Sequence, residues 1–236
     1  QLDTAASVDD VVSSDARVRI DSPVPLHFLV ADRSGRVAAV EFLDGRLVAY
    51  TGERLPVAAL TNDSYADSLA YVRELESSGA RRPEGPASLA RFARAVRGVR
   101  AYGNDPRPAA GAVAYAFETL AGLAQPGRTQ WSIVYEPAAG RVHFRTRENR
   151  DTRTLRLAGL DFGCAGAGRA LDLASAGRRD VTGALQPYSA EANLALIRGS
   201  FAQTPFLASA GEEAVALQAD YPRTVTCSDC WTRSSY

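Results

Sequence analysis

The feature that most constrains the fold is the order in which strand-like and helix-like patterns follow one another. Short apolar runs with turn signals occupy residues 26–60, and helical apolar spacing occupies 64–124. Strand-like runs return over 129–157, and helical patterns occupy 188–219. Blocks of strands that are separated from blocks of helices favour layered α+β architectures over alternating β-α-β units. The sequence therefore predicts an α+β fold.

Two short motifs mark element boundaries within these blocks. Ser7 followed by Asp10 has the spacing of a capping box, which predicts the start of a helix. Asp44-Gly45 between apolar runs predicts a two-residue hairpin turn, because a type I′ turn needs positive φ at both positions. The predicted elements are a helix at 7–14, strands at 26–31, 37–42, 47–50 and 57–60, helices at 64–77, 87–101 and 109–124, strands at 129–135, 141–147, 152–157 and 169–174, and helices at 188–203 and 211–219.

The predicted strands at 26–31 and 37–42 are apolar on both faces. An antiparallel sheet that is covered on both sides needs a helix layer against one face and a second sheet against the other. We therefore expect a four-layer αββα sandwich that forms a single domain over residues 1–236, with a loose tail at 222–236. The side chains expected to be buried between its layers are Leu29, Val40, Phe42, Trp131, Ile133 and Val134.

Composition excludes several classes of function. The 236 residues carry 27 basic and 27 acidic side chains, whereas nucleic-acid binders usually carry a basic excess. No stretch reaches the ~18 apolar residues of a membrane span. All 27 basic residues are Arg, which rules out a lysine Schiff base or a P-loop lysine within this chain. Motifs for a metal or an organic cofactor are also absent, so we expect no nucleic-acid partner, no membrane span and no cofactor.

Taken one by one, the cysteines and histidines are predicted to have structural or incidental roles rather than catalytic ones. Three cysteines do not make a disulfide framework, and Cys164 beside a glycine is expected to be a small buried residue. Cys227 and Cys230 form a single CxxC, which is read as incidental, with a disulfide or a metal site as alternatives. His27 is expected to be a hydrogen-bonded interior side chain, and His143 a surface or sheet-edge residue.

Four segments, in this order and spacing, resemble the choloylglycine hydrolase family. This family of linear-amide C–N hydrolases includes bile salt hydrolases and penicillin V acylases. The segments are HFLVAD at 27–32 followed by Gly35, VEFLDG at 40–45, LTND at 60–63, and TQWSIVY at 129–135 with VHFRT at 142–146. Weaker similarity continues through residues 171–198, so the resemblance runs from about residue 7 to residue 221.

The resemblance implies the N-terminal-nucleophile hydrolase fold, an αββα sandwich that agrees with the layers argued above. In the family, a cysteine at the first position of the mature chain attacks the amide, its own α-amino group acts as base, and acyl transfer proceeds through a thioester. Here Gln1 stands first and no cysteine lies near it. There is no Met in the sequence, so we expect that it does not begin where translation begins. We therefore expect the later portion of such a domain, with the nucleophile outside this chain.

Two family site residues match positions of this sequence. Asn62, in the LTN segment, matches the asparagine that helps to form the oxyanion hole, although Ser64 stands where the family often has Pro. Arg91, before Phe92, matches the arginine beside the nucleophile. The alternatives from the residues themselves are that Asn62 caps the following helix and that Arg91 lies on a solvated helix face beside Arg94.

The resemblance therefore predicts a hydrolase of linear amides such as N-acyl amino acids, conjugated bile salts, penicillin V or acyl-homoserine lactones. The alternatives are a non-catalytic module that binds a small acylated amine or a partner, and a subunit whose nucleophile is on a second chain. The expected partners are a small acylated-amine substrate and either a second copy of the chain or a missing N-terminal segment. The compartment stays open between cytoplasmic and periplasmic or secreted, in a bacterium.

Overall fold

A computed structural model describes residues 5–17, 26–79, 87–105, 109–166, 168–173, 177 and 179–225. The helices are α1 (Val8–Ser13), α2 (Tyr65–Ser77), α3 (Ala87–Asn104), α4 (Ala109–Leu123), α5 (Ala190–Gln203) and α6 (Glu212–Thr224). The strands are β1 (His27–Ala31), β2 (Val37–Leu43), β3 (Arg46–Thr51), β4 (Trp131–Glu136), β5 (Arg141–Thr146), β6 (Arg153–Arg156), β7 (Arg169–Ala170), β8 (Arg179–Asp180) and β9 (Gln186–Pro187). The described chain is thus a mixture of helices and sheets, as predicted.

The chain divides into two compact units, residues 1–152 and 153–236. In the first unit, β1, β2 and β3 form an antiparallel sheet with β2 at its centre. The hairpin between β2 and β3 turns at Asp44 and Gly45 with φ of 50° and 70°, as a type I′ turn requires. The predicted capping box is also present, because Ser7 and Asp10 each bind the other's backbone N–H through their side chains.

Helices α2 and α3 pack against one face of this sheet. Ala39 of β2, Tyr65 and Val72 of α2 and Phe92 and Val96 of α3 belong to one buried cluster. Burial of each valine or phenylalanine side chain in this cluster contributes ~1.5–3 kcal/mol to stability. The apolar spacing over 64–124 therefore predicted helices at α2 and α3, and this cluster packs them against the sheet.

The opposite face of the sheet holds a smaller cluster. Val8 of α1 packs there with Ala38 and Val40 of β2. Strand β2 is therefore buried on both faces, as predicted, but β1 is not. Leu29 is 46% exposed because β1 is the outer strand and the helices do not extend over it. The expectation that Leu29 is buried is wrong.

Residues 57–60 are not a strand. Val57 and Ala59 are buried, and their alternation resembles a strand, but they pack under α2 and α3 without sheet pairing. The hydroxyl of Tyr65 donates to the Val57 carbonyl at 2.8 Å, and the Ala59 N–H also donates to that carbonyl, at 3.0 Å. An irregular segment that is hydrogen-bonded to Tyr65 therefore leads into α2 and carries Asn62.

The first unit ends in helix α4 and the antiparallel hairpin of β4 and β5. Phe117 of α4 is buried, and the guanidinium of Arg145 on β5 lies 4.2 Å from the centre of its ring. Trp131 on β4 is 59% exposed, so the expectation that it is buried is wrong. Ile133 and Val134 are half-buried.

In the second unit, β6 pairs in parallel with β8, and β7 pairs with β9 in antiparallel orientation. Strands of two residues such as β8 and β9 carry no periodic pattern, so the sequence did not predict them. Helices α5 and α6 pack together, and Asn193 Nδ2 donates to the Ala219 carbonyl at 2.9 Å. Helix α6 extends to Thr224, and residues 226–236, including the CxxC, lie outside the described residues. None of the described helices combines the length and hydropathy that a membrane crossing requires.

Candidate active site

The two sequence-predicted site residues are in direct contact. Arg91 Nη2 on α3 donates to Oδ1 of Asn62 at 2.5 Å, across 29 positions of sequence. Asn62 is exposed and Arg91 is half-buried, whereas Arg94 on the same helix is exposed. Arg91 is therefore less exposed than Arg94, and its guanidinium contacts the loop before α2 at an exposed position.

Asn62 does not cap helix α2. The N-cap residue is Ser64, whose Oγ accepts from the backbone N–H of Asp67 at 3.1 Å and donates to its carboxylate at 2.6 Å. The serine that replaces the family's proline therefore supplies the cap itself. The Asn62 side chain is left outside the helix end, where it meets Arg91.

A third side chain, Gln125, completes a polar cluster that the sequence did not predict. It follows α4, and in the amide orientation that satisfies both of its ends, its oxygen accepts from Arg91 Nε at 2.9 Å and from Nη2 at 3.0 Å. A lone glutamine after a helix carries no sequence signal for such a role. The cluster of Asn62, Arg91 and Gln125 therefore joins the α2 loop, α3 and the end of α4.

Ser88 holds the backbone of the same loop. Its Oγ accepts from the N–H of Asn62 at 2.8 Å and from the N–H of Asp63 at 3.1 Å, and it donates to Thr61 Oγ1 at 3.2 Å. Ser88 and Arg91 are three residues apart on α3, so both project from one side of the helix. The first turn of α3 thus fixes both the backbone and the side chain of Asn62.

Buried Glu41 fixes the other end of the loop. It lies on β2 with 2% exposure, and its Oε1 accepts from the backbone N–H of Tyr65 at 2.8 Å, at the start of α2. His27 Nδ1 on β1 lies 3.2 Å from the same oxygen. A carboxylate at a helix N-terminus is favoured by the helix dipole. The prediction that His27 is hydrogen-bonded is confirmed, although its side chain is 21% exposed rather than interior.

Two tyrosines pack beside this carboxylate. Burial raises the pKa of Tyr65, whose hydroxyl is held by the Val57 carbonyl. Burial, and then the negative charge of Glu41, raise the pKa of Tyr50, whose ring lies 4.8 Å from that of Tyr65. Both phenols therefore stay protonated well above neutral pH. Tyr65 belongs to the buried cluster between the sheet and the helices, and Tyr50 packs against that cluster.

His143 is buried, whereas a surface or sheet-edge position was predicted. It lies on β5 with 8% exposure, and its Nε2 is 2.6 Å from Oε2 of Glu136 on β4. Phe144, its neighbour on the other face of the strand, is 4% exposed, so both faces of β5 are covered. The strand alternation placed His143 and Phe144 on opposite faces, but it could not show that both faces are buried.

Cys164 also differs from its prediction. It is exposed rather than buried, and it is disulfide-bonded. A disulfide sulfur is not a nucleophilic thiolate. The described residues also contain no group of three or more His, Cys, Asp or Glu side chains placed to share a metal ion.

The geometry of the cluster sets what Asn62 can do chemically. A guanidinium can only donate hydrogen bonds, so Arg91 holds the oxygen of the Asn62 amide and leaves its NH₂ group for another acceptor. In the part of the chain that the structure describes, nothing accepts from that nitrogen and no carboxylate pairs with Arg91. The site therefore offers an oriented N–H donor and a positive charge on one side of the α2 loop.

Solved structures with a similar fold are, by their names, an acylase and a hydrolase. Penicillin V acylase from Agrobacterium tumefaciens matches with a TM-score of 0.66 and 21% identity, over 80% of this chain and 65% of that chain. Two variants of conjugated bile acid hydrolase from Clostridium perfringens match with TM-scores of 0.52 and 0.53, each at 14% identity. These matches cover 66% and 79% of this chain, and 60% and 63% of the respective neighbours.

The chain thus spans less than two thirds of the length of these neighbours. No protein-family sequence model matches the chain, and no curated protein sequence matches it. At this level of identity the structural likeness establishes the fold. The chain has the fold of penicillin V acylase and conjugated bile acid hydrolase, and its resemblance to the choloylglycine hydrolase family is confirmed at that level.

Proposed function

We propose that the chain forms most of a hydrolase that cleaves linear amide bonds by cysteine-dependent acyl transfer. Candidate substrates are N-acyl amino acids, conjugated bile salts, penicillin V and acyl-homoserine lactones. The observation that carries the proposal is the contact between Arg91 and Asn62. The fold and the family resemblance supply the reaction class, and the contact joins the two residues that the resemblance assigns to the site.

In the proposed reaction, Asn62 is an oxyanion-hole donor. Attack of a thiolate on the amide carbonyl moves negative charge onto the carbonyl oxygen. The Nδ2–H of Asn62, which has no acceptor among the described residues, can donate to that oxygen. Removing one such donor typically costs ~2.7–4 kcal/mol of barrier. The donor costs little to orient during the reaction, because Arg91 and Ser88 already hold the side chain and its backbone.

The proposed role of Arg91 is electrostatic. Its described partners are two neutral amide oxygens, so its positive charge is not cancelled by a carboxylate among the described residues. A positive charge within a few ångströms of a thiol favours the thiolate. The same charge favours the tetrahedral oxyanion, so Arg91 supports both species that carry negative charge in the reaction.

The attacking thiolate is proposed to come from outside residues 1–236. Cys164 is in a disulfide, and Cys227 and Cys230 lie in the tail beyond the described residues. We further propose that residues 1–236 belong to one αββα domain that contains two face-to-face sheets. A second copy of the chain, or the segment that carries the nucleophile, is the proposed partner.

Turnover assays test the proposal. The isolated chain is expected to show no sustained hydrolysis of penicillin V or of glycine- and taurine-conjugated bile salts. If the gene encodes further residues before Gln1 that include a processed N-terminal cysteine, the complete protein is expected to hydrolyse one of these classes. Sustained turnover by the isolated chain would contradict the assignment of the nucleophile. A Ser or Ala in place of that cysteine would favour the non-catalytic binding module.

A further inference from the structure

Glu41 interrupts an otherwise apolar strand. The rest of β2 consists of Val, Ala, Phe and Leu. Glu41 is 2% exposed, and its Oε2 is buried without a hydrogen-bond partner among the described residues. A buried carboxylate oxygen that nothing satisfies costs free energy. A side chain that departs from the pattern of its strand at such a cost is a candidate for a role beyond packing.

The other oxygen of Glu41 reaches the helices that carry the candidate site. Ala39 and Glu41 lie two residues apart on β2, so they share one face of the sheet. Ala39 belongs to the buried cluster that contains Tyr65 of α2 and Phe92 of α3. From this face, Oε1 accepts from the backbone N–H of Tyr65, the first residue of α2, at 2.8 Å. Such an N–H has no acceptor within its own helix, so Glu41 supplies one from the sheet.

His27 holds the same carboxylate from the neighbouring strand. It lies directly opposite Glu41 in the antiparallel pairing of β1 with β2, and its Nδ1 is 3.2 Å from Oε1. An ionised carboxylate only accepts hydrogen bonds, so Nδ1 is the donor in this contact. A cross-strand contact of this kind restricts the orientation of the carboxylate. Oε1 is therefore kept at the start of α2.

The loop before α2 is bound to two different elements. Ser88 Oγ on α3 accepts from the N–H groups of Asn62 and Asp63, and Glu41 on the sheet accepts from the N–H of Tyr65. The loop is irregular, so no strand or helix of its own fixes the path of its backbone. The position of the Asn62 amide therefore depends on both attachments.

We propose that Glu41 is a positioning residue for Asn62, and that His27 orients the Glu41 carboxylate for this role. The inference rests on the proposed function and adds a residue that touches no substrate. Glu41 acts through the Tyr65 N–H, because this hydrogen bond sets where α2 begins and so where Asn62 meets Arg91. An oxyanion donor works only within hydrogen-bond distance of the developing charge. Displacement of the loop would therefore weaken catalysis without removing a group that contacts the substrate.

Hydrogen exchange in the 236-residue chain tests the geometry without turnover. Glu41→Met replaces the carboxylate by an apolar side chain of similar length. It should speed exchange of the buried Tyr65 N–H by about tenfold or more, because that donor is left without its acceptor. The amides of Asn62 and Asp63 should also exchange faster, because one attachment of their loop is lost. Unchanged protection of these two amides would overturn the proposal.

Two further variants serve as controls for the exchange measurement. Glu41→Gln keeps an oxygen that can accept from Tyr65, so it should retain most of the protection. Ser68→Ala is the matched buried control, because Ser68 on α2 is 1% exposed and its Oγ has no hydrogen-bond partner among the described residues. Equal loss of protection in Ser68→Ala and Glu41→Met would also overturn the proposal, since any change beneath α2 would then suffice.

Steady-state kinetics in a protein that carries the nucleophile tests the role itself. Glu41→Met should lower kcat by about tenfold with little change in KM, because a misplaced donor acts mainly on the transition state. Glu41→Gln should recover most of this loss. In an Asn62→Ala background, Glu41→Met should have no further effect on kcat, because Glu41 acts through Asn62. Additive effects would overturn the proposal, and so would a lowered unfolding midpoint with unchanged kcat.

Glu41→Asp keeps the test decisive if Glu41→Met does not fold. It retains a carboxylate opposite His27 but is one methylene shorter, so it withdraws the acceptor from Tyr65, and it should lower kcat in the same way. If Asn62→Ala lowers kcat while the folded Glu41 variants do not, the positioning role is wrong and the proposed function stands. If Asn62→Ala keeps full turnover, the proposed function is wrong, whatever the exchange measurement gives.

Discussion

Arg91 Nη2 lies 2.5 Å from Oδ1 of Asn62, and this contact determines which end of the asparagine amide faces the guanidinium. Because a guanidinium has no acceptor, the amide cannot reverse without placing two donors against each other. Gln125 and Ser88 reinforce the arrangement from two further elements. The donor that the proposed chemistry needs is therefore oriented before any substrate arrives.

Replacing Asn62 by Ala in a protein that carries the nucleophile should lower kcat by about 10²–10³, since one oxyanion donor is lost. KM should change much less, because the donor acts mainly on charge that develops in the transition state. Steady-state kinetics on the hydrolysed substrate measures this. Asn104→Ala, at the exposed end of α3, is the control. A tenfold or smaller fall in kcat for Asn62→Ala would argue against the role.

Arg91→Gln should also lower kcat, because it removes the charge and releases the Asn62 amide. Arg94→Gln is a matched control, since Arg94 lies one turn further along α3 and is exposed. We expect Arg94→Gln to retain wild-type kinetics. Equal effects of the two substitutions would indicate that overall charge, rather than contact with Asn62, matters.

Ser88→Ala removes the acceptor for two loop N–H groups, so those groups should exchange with solvent faster. Water can reach these exposed and half-buried N–H groups, so the loss is that of an ordinary hydrogen bond, about 0.5–1.5 kcal/mol, which corresponds to roughly two- to tenfold faster exchange at Asn62 and Asp63. Hydrogen exchange followed by NMR measures it. Ser88→Thr should restore protection, and Ser77→Ala at the end of α2 should leave these two amides unchanged.

The Asp180 carboxylate in the second unit should make stability depend on acidic pH. Hydrogen bonds from the hydroxyl and N–H of Thr182, followed by Arg156, lower the pKa of Asp180 from 3.8 to about 2. A lowered folded-state pKa stabilises the fold above pH 3.8, and this contribution is lost as pH falls toward 2. Asp180→Asn should therefore reduce the slope of stability against pH in that window, as measured by urea unfolding, whereas Asp105→Asn should not.

The exposed outer strand β1 should promote association of the isolated chain. Leu26, Phe28 and Leu29 are 39–46% exposed, and an apolar strand at a sheet edge invites pairing with another chain. Leu29→Lys should shift the chain toward monomer in light scattering. Leu217→Lys on α6, at a leucine that is 76% exposed, should not. A wild-type chain that is already monodisperse and monomeric would contradict this prediction.

Local patterns in the sequence determined the elements of the first unit well. The capping box at Ser7, the turn at Asp44-Gly45 and the apolar spacing of α2 and α3 depend on interactions within a few residues or on one repeating period, so they can be read from the chain. Asn62 and Arg91 were found through the family resemblance, because no local rule distinguishes a site asparagine from a helix cap.

Only the tertiary structure could decide which apolar and polar side chains are covered. Leu29 and Trp131 stay exposed because they lie on outer strands, and His143 is buried because both faces of β5 are packed. Val57 and Ala59 alternate like a strand but pack under helices. The partnership of Arg91 with Asn62 and Gln125 joins positions 29 and 34 residues apart in the sequence. Contacts at that separation depend on how elements pack, which a pattern within one element does not contain.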